Sequence, residues 1–565
     1  DVFEVSERVS ADGSVEKALD EDGVRAAATL FRERGMEAVA ICFLHSFANG
    51  ENERRAREIV LEEHPDAMVS ISSEVLPVFR EFERSMATIL NVYVMPLVAT
   101  YVAKLDAELK KAGIRAPLLL MKSSGGVTGA STIKREPIQT ALSGPAAGIV
   151  GAIYEAGRAG HSNVITVDIG GTSADICLIR DGRPELTTKS QIGEWPIQLP
   201  MVDIHTIGAG GGSIARVNDS GALTVGPESA GALPGPVSYG RGGTEPTVTD
   251  AHLVLGHLPE RLLAGEMEID LPAAKTAIED KVARPLGLSV HEAARGILQV
   301  VNNNMLGAIR IVSVERGLDP REFALLPFGG AGPIHGSDLA RLLGIRSVVI
   351  PPSPGVLSAI GLTVSSLRNE FSRTSLQSAE AFDAEQVSRD FSQLESEAIA
   401  WLDEEEVPHD GRTVEWEAAM RYKHQGFELN VPWTERSATE DGLKRAIENF
   451  HRLHAQLYSF SQEDTPVEIV TLRVTAKGDL PAPKSVPLIG GRPASECVIA
   501  TQQMFVDGAM KDCPVYDRAA LAAGATVEGP AILQQLDTTI VLESGDTATV
   551  HQYGSLIVSI GISGN

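Results

Sequence analysis

The stretch V164-I-T-V-D-I-G-G-T-S-A-D-I-C-L-I179 decides how this sequence is read. Two apolar, β-branched-rich runs, Val164 to Val167 and Ile176 to Ile179, flank a Gly-Gly-Thr turn, with Asp168 before it and Asp175 after it. That pattern predicts a β-hairpin whose tip carries chemistry. Gly170 and Gly171 have no side chains, so a phosphate can sit directly on their backbone N–H groups. Thr172 offers a hydroxyl, and the Asp168 carboxylate suits a hard cation such as Mg²⁺ or the orienting of a nucleophile.

Outward from this hairpin, three more glycine turns follow strand-like runs: Lys122-Ser-Ser-Gly-Gly126, Val202-Asp-Ile-His-Thr-Ile-Gly-Ala-Gly-Gly-Gly-Ser213 and Leu325-Leu-Pro-Phe-Gly-Gly-Ala-Gly-Pro-Ile-His335. Ser143-Gly-Pro-Ala-Ala-Gly148 opens a helix, with Ser143 near the cap and Pro145 in the first turn. The dinucleotide pattern G-x-G-x-x-G fails twice, because Ser213 and His335 hold its last position. Neither G-x-x-x-x-G-K-[ST] nor G-x-S-x-G occurs, which excludes a P-loop enzyme and an elbow-type serine hydrolase. Four glycine turns at strand ends predict a mononucleotide cleft between two α/β lobes. Gly208, Gly210, Gly211 and Gly212 would wrap phosphates, and Asp203 and His205, two residues apart, would face the substrate from one side of a strand.

The 565 residues carry 49 Lys+Arg against 75 Asp+Glu, a formal charge of −26, with 43% hydrophobic and 22% charged residues. The length suggests several domains, and the acidic surface argues against nucleic acid or anionic lipid as a partner. Cys42, Cys177, Cys497 and Cys513 show no C-x-x-C spacing, so a reduced, cytoplasmic setting is expected. No uninterrupted apolar run reaches the roughly 18 residues of a membrane span, so no membrane is expected.

Helix and strand patterns alternate from residue 20 to 72 and predict a mainly parallel sheet. Residues 76–112 read as a helix broken or kinked at Pro96, with Arg80, Glu81, Glu83 and Arg84 as solvated pairs. Residues 224–249, rich in Gly and Pro, read as an ordered loop. The expected divisions are 1–140, 141–370, 371–480 (α+β) and a β-rich 481–565.

The motifs D168-I-G-G-T-S-A-D175, S143-G-P-A-A-G148, V202-D-I-H-T-I-G-A-G-G-G-S213, P327-F-G-G-A-G-P-I-H335, Y516-D-R518 and G529-P-A-I532 together resemble the hydantoinase A / 5-oxoprolinase family. That family also contains N-methylhydantoinases, caprolactamase and the ATP-hydrolysing subunits of acetone and acetophenone carboxylases. The resemblance implies an α/β fold of the actin/hexokinase/Hsp70 (ribonuclease H-like) class with a C-terminal β-rich domain. D168-I-G-G-T172 would be its second phosphate loop, and Gly329, Gly330 and Gly332 would lie in its adenosine-side loop.

The resemblance also implies the cofactors ATP and Mg²⁺ or another divalent metal, with Asp168 as the metal ligand and Asp168, Asp175, Asp203 and His205 as catalytic residues. The implied reaction is ATP-dependent hydrolysis of a cyclic amide through phosphorylation of its carbonyl oxygen. The alternatives are a ketone carboxylase subunit, a small-metabolite kinase and a non-catalytic nucleotide switch. A small cyclic amide or ketone, a hydantoinase B-like subunit and an oligomer are the implied partners. Relatives begin with a further D-x-G-G-T-x-T-D-like hairpin that residues 1–47 do not match. The expectation is therefore that an N-terminal segment is missing and that the chain as it stands does not hydrolyse ATP by itself.

Overall fold

The computed structural model describes residues 1–187, 190–192, 195–262, 265–435, 438–481 and 483–561. The chain forms two compact units, each assembled from separated segments. Asp1–Ala146, Leu186–Met201 and Ser365–Pro481 make the first; Ala147–Glu185, Val202–Val364 and Ala482–Asn565 make the second. The architecture is mixed α/β.

In the first unit, strands Ala38–Ile41 and Met68–Ile71 pair in parallel, with helices Glu21–Glu33 and Glu51–Glu63 before each. Asp20 caps the first helix by accepting from Gly23 N–H at 3.1 Å, and Val24, Ala28, Ile59 and Val60 bury its apolar face with that of its neighbour. A second, six-stranded sheet contains the long antiparallel strands Leu367–Ser378, Val467–Gly478 and Arg412–Tyr422, with Val127–Gly129 and Leu119–Met121 at one edge.

The helix predicted over 76–112 spans Glu81–Lys111 and runs through Pro96 instead of stopping there. Arg84 corrects the solvated reading of its neighbourhood. It is 1% exposed, and its guanidinium donates to Val78 O at 2.8 Å, Phe43 O at 2.9 Å and Ser72 Oγ at 3.2 Å. A buried cation needs such a full set of acceptors, so Arg84 ties helix to strand.

The second unit is organised around a nine-stranded mixed sheet. Strand Val164–Ile169 lies between Ala174–Arg180, antiparallel, and Ala324–Phe328, parallel. The sheet extends through Ile204–Ile207 on one side and through Ser347–Ile350 and the C-terminal strands on the other. Ile165, Val167, Ile176 and Leu178 are fully buried, matching the continuous apolar runs of a sheet covered on both faces. Helix Val290–Val312 buries Ile297, Val301, Met305 and Ile309 in the same core and starts with a capping box between Ser289 and Glu292.

Part of the segment read as the loop 224–249 is strand: Leu223–Ser229 pairs with Ser213–Val217. Gly226 and Pro227, which suggested a loop, fall where the register shifts between the Ala215–Val225 and Ser213–Ser229 pairs, so the ladder resumes on both sides of them. The expectation that no apolar stretch reaches span length is corrected: Glu81–Lys111 and Val290–Arg316 each contain an 18-residue window with mean hydropathy 1.6 and 1.2, a length and composition that the core helix of a soluble protein also reaches. A search for uninterrupted apolar runs misses windows that tolerate one or two charges. Half of the second window is buried inside its unit, as in a core helix.

Candidate nucleotide site

The hairpin forms as its sequence predicts: Val164 to Ile169 pairs with Ala174 to Ile179, and Asp168 stands opposite Asp175. The tip, Gly170 to Ser173, is closed by Gly170 N–H donating to Ser173 O at 3.1 Å. Gly208–Gly212 packs onto this tip. Gly211 N–H donates to Gly170 O at 3.0 Å and Gly212 N–H to Gly171 O at 2.7 Å. A Cβ on Gly210 would lie 2.7 Å from Thr172 N and 2.8 Å from Gly170 O, so only glycine lets the two backbones approach. The 329–332 turn docks from the other side, with Ala331 N–H donating to Ile169 O at 3.0 Å. A Cβ on Gly329, where φ is +78°, would lie 2.2 Å from Asp168 Oδ1.

The site glycines therefore fall into two kinds. Gly208, Gly210, Gly212, Gly329 and Gly332 have backbone or side-chain atoms where a Cβ would go. At Gly170 and Gly171 an added Cβ would meet nothing within 4 Å and neither φ is positive, while at Gly330 the nearest atom is 3.9 Å away. Gly170, Gly171 and Gly330 are exposed. Nothing in the fold itself demands glycine at these three positions. Together with Gly211 they line a cavity of about 760 Å³ whose lining, among the described residues, comes from the second unit.

The same cavity is also lined by Tyr239, Leu258, Ile334, His252 and His335. His335 Nδ1 lies 2.8 Å from Asn302 Oδ1, and Asn302 Nδ2 donates to Asp338 Oδ2 at 3.3 Å. His335 Nδ1 must then carry the proton, which makes its Nε2 the acceptor facing His252 Nε2 at 3.2 Å. His252 Nδ1 in turn accepts from His257 Nδ1 at 3.0 Å. Burial holds all three imidazoles neutral, with His257 pushed down to about 4, His335 to about 3, and His252 well below the usual range. His335, the residue that spoils the dinucleotide fingerprint, is thus a wall of this cavity.

Residues 534–539 of the C-terminal strands complete the lining. Thr538 Oγ1 donates to Gly330 O at 3.0 Å, and Asp537 Oδ2 accepts from Gly355 N–H at 2.8 Å. Arg518 of the Y516-D-R518 motif is buried beneath and donates to Pro351 O at 2.6 Å and Ile350 O at 3.1 Å. Sequence reasoning did not place 534–539 at the site. The only signal was G529-P-A-I532 just upstream.

The acidic residues are distributed unevenly. Asp168 is half-buried beside Gly329. Burial, with the Asp175 carboxylate adding to it, pushes its carboxyl up to about 6. Asp175 accepts from Thr206 Oγ1 at 2.6 Å. Asp203 is occupied elsewhere, in an ion pair with Arg316 at 2.6 Å, and Arg316 also holds Glu185 at 2.8 Å. His205 stands opposite Ile176, one position back along the strand from Thr206. None of Asp168, Thr172, Asp175, Asp203 and His205 lines the cavity; Asp168 and Asp175 stand next to Gly170 and Gly171, which do, on the two strands of the hairpin. Among the described residues no group of three or more His, Cys, Asp or Glu is arranged to hold a metal. Two facing carboxylates still fit Mg²⁺, which is held by one or two carboxylates plus phosphate and water oxygens.

The Hydantoinase/oxoprolinase family model matches residues 84–371, its N-terminal region residues 1–64 and its C-terminal domain residues 374–557. The chain belongs to the hydantoinase/oxoprolinase family. Caprolactamase subunit alpha of Pseudomonas jessenii is 36% identical over 95% of this chain and 78% of its own. Acetophenone carboxylase gamma subunit of Aromatoleum aromaticum is 32% identical over 99% and 78% respectively. The crystal structure of the ATP-dependent caprolactamase from Pseudomonas jessenii superposes with a TM-score of 0.90 at 34% identity, covering 99% of this chain and 82% of that one. Within this family, the match runs through all four glycine turns described above.

Proposed function

We propose that the second unit binds ATP and that the protein uses it to open a cyclic amide by phosphorylating the ring carbonyl oxygen. The observation that carries this reading is the set of open glycines. Gly170, Gly171 and Gly330 leave bare, exposed backbone in the lining of a 760 Å³ cavity, where the fold itself would accept a side chain. Gly170 N–H is taken by Ser173 O, so a ligand that uses the Gly171 and Gly330 amides and the space above all three glycines accounts for the missing side chains, and phosphate oxygens suit such amides. The Tyr239, Ile334 and His335 part of the lining, with neutral imidazoles, suits a flat heterocyclic base. The caprolactamase relative, described as ATP-dependent, supports the nucleotide and the class of substrate. In this reading the unit is an ATPase lobe of the actin/hexokinase/Hsp70 class.

Asp168 and Asp175 would hold Mg²⁺, which neutralises phosphate charge when bound. Asp168 is poised for this role because its charged form is disfavoured until a cation or proton arrives. Gly329 keeps the space beside its carboxyl free of any side chain. Asp203, tied to Arg316, positions the strand that carries His205 and Thr206; Thr206 orients Asp175.

The chemistry balances as follows. The amide oxygen takes the γ-phosphoryl group and ADP leaves; one water adds to the activated carbon and the C–N bond breaks, opening the ring to an amine and an acyl phosphate; a second water attacks the same carbon, and phosphate departs with the original carbonyl oxygen, leaving the carboxylate. As an ATPase subunit the chain would work with a hydantoinase B-like partner. The test is a panel of hydantoin, 5-oxoproline, ε-caprolactam and acetophenone, scored for ADP release and product by the complete protein with its partner. Ring opening coupled to ADP supports the proposal. Carboxylation of acetophenone, the reaction class of the 32% identical relative, or a stable phosphoester made without a partner would replace it.

A further inference from the structure

The first unit holds a cavity of a different construction, of about 570 Å³. Lys122 follows strand Leu119–Met121, and Gly125, with φ of +89°, turns the chain back into Val127–Gly129. Lys122 and Ser124 are each 5% exposed and both line the cavity. Lys122 Nζ donates to Asn369 Oδ1 at 2.6 Å, which uses one of its three protons. Ser123 is committed to the fold, donating to Gln139 O at 2.8 Å. Ser124 Oγ, Gln139 Oε1 and Glu370 Oε2, by contrast, are buried and have no hydrogen-bond partner among the described residues.

Buried polar atoms without partners are rare because each costs free energy, and several around one cavity mark where a ligand supplies the missing bonds. Those atoms comprise donors, from the lysine and the serine, and acceptors, from the carboxamide and the carboxylate. Four cationic and four acidic side chains line the cavity, so it has no net charge for a ligand to compensate. The ligand therefore carries an acceptor and an N–H together and no charge.

We infer that this cavity is a binding site for an uncharged cyclic amide, whose carbonyl accepts from Lys122 and Ser124 and whose ring N–H donates to Gln139 or Glu370. The class of ligand rests on the cyclic-amide reading above; the site rests on the unpartnered atoms. Burial pushes the Lys122 ammonium down to about 8, against the pull of Glu370 and Glu136, so a ligand carbonyl would also relieve an under-solvated cation.

The experiment is calorimetric titration of the complete chain with hydantoin, without nucleotide, alongside ADP titration as a control on the second unit. Wild type is expected to bind hydantoin. Ser124→Ala should weaken it about tenfold, the usual effect of losing one buried hydrogen bond, and Lys122→Met more, with ADP affinity unchanged in both. Should Lys122→Met fail to fold, Ser124→Ala alone decides, since it removes a single atom. Equal hydantoin affinity in wild type and Ser124→Ala, no hydantoin binding by a wild type that binds ADP, or preference for the carboxylate-bearing 5-oxoproline would each overturn the inference. Hydantoin binding without any ATP-driven ring opening would sink only the proposed reaction and leave this site standing.

Discussion

The two cavities are built by opposite means. The one in the second unit is lined in part by backbone, through Gly170, Gly171, Gly211 and Gly330. The one in the first unit is lined by charged and polar side chains drawn from residue 46 to residue 473. A site made of backbone needs glycine at particular places and so writes itself into the sequence as compact motifs. A site made of side chains needs only one residue from each of many elements and leaves no local mark. Lys122-Ser-Ser-Gly-Gly126 shows the limit, because its glycines advertised a turn while Lys122 and Ser124, the residues that face the cavity, did not stand out.

The comparison can be broken most sharply at Asp168. Asp168→Asn should lower ATP-dependent turnover by about 10²–10⁴-fold, the range for a group aligned with the reacting atoms, while leaving hydantoin binding in the first unit unchanged. The same change should raise stability at pH 7. The Asp168 carboxyl titrates at about 6 rather than its ordinary 3.8, so the folded state holds its proton longer than the unfolded one. That penalty on the folded state grows as pH rises from about 4 to 6 and is complete above 6. Removing it is worth on the order of 1–3 kcal/mol, read as a urea midpoint shift. In the wild type, kcat/KM should rise with pH through an apparent pKa near 6.

Next in size is Gly171→Val. Its side chain would enter space the fold leaves open, so the thermal midpoint should hardly move while ADP affinity falls about 100-fold, as expected where a side chain takes the ligand's place. An unchanged affinity would remove the main support for a backbone-lined phosphate site.

The histidine chain gives the third. His257 and His335 titrate at about 4 and 3, below the ordinary 6.5, so the unfolded state takes up protons first and stability falls as pH drops below 6.5. Between pH 7 and 5 the loss should be about 2 kcal/mol per histidine, offset in part by Asp168, and it should shrink in His335→Gln. Denaturant midpoints across that range, followed by a probe in the second unit, measure it.

Gly210→Ala should behave oppositely to Gly171→Val. A Cβ 2.7 Å from Thr172 N forces the two loops apart, costing roughly 1–2 kcal/mol of stability with only a secondary loss of nucleotide affinity. Paired thermal and binding measurements on the two variants separate glycines that serve packing from glycines that face a ligand.

Much of the second unit was legible because its signals are local. The apolar runs around Asp168 and Asp175 gave the hairpin, and Pro333 and Gly344 bound the helix Gly332–Leu343. The four contiguous divisions expected from composition shifts differ from the observed units, each of which takes segments from both halves of the chain. Long-range pairing such as Leu367 beside Val127 has no composition signature. Gln534 to Thr539, which line the cavity of the second unit, were missed for the same reason. Arg84 was misread because sequence shows charge but not the three acceptors that bury it. Asp203 and His205 look like a pair on paper, yet the structure ties Asp203 to Arg316.

The most direct test of the central claim follows an oxygen atom. A cyclic amide labelled with ¹⁸O at its carbonyl is turned over by the complete protein with its partner and unlabelled ATP, and the inorganic phosphate is analysed by mass. If the carbonyl oxygen is phosphorylated, label appears in phosphate in step with ADP and with ring opening. Ring opening with no ADP formed and no label in phosphate would contradict the account.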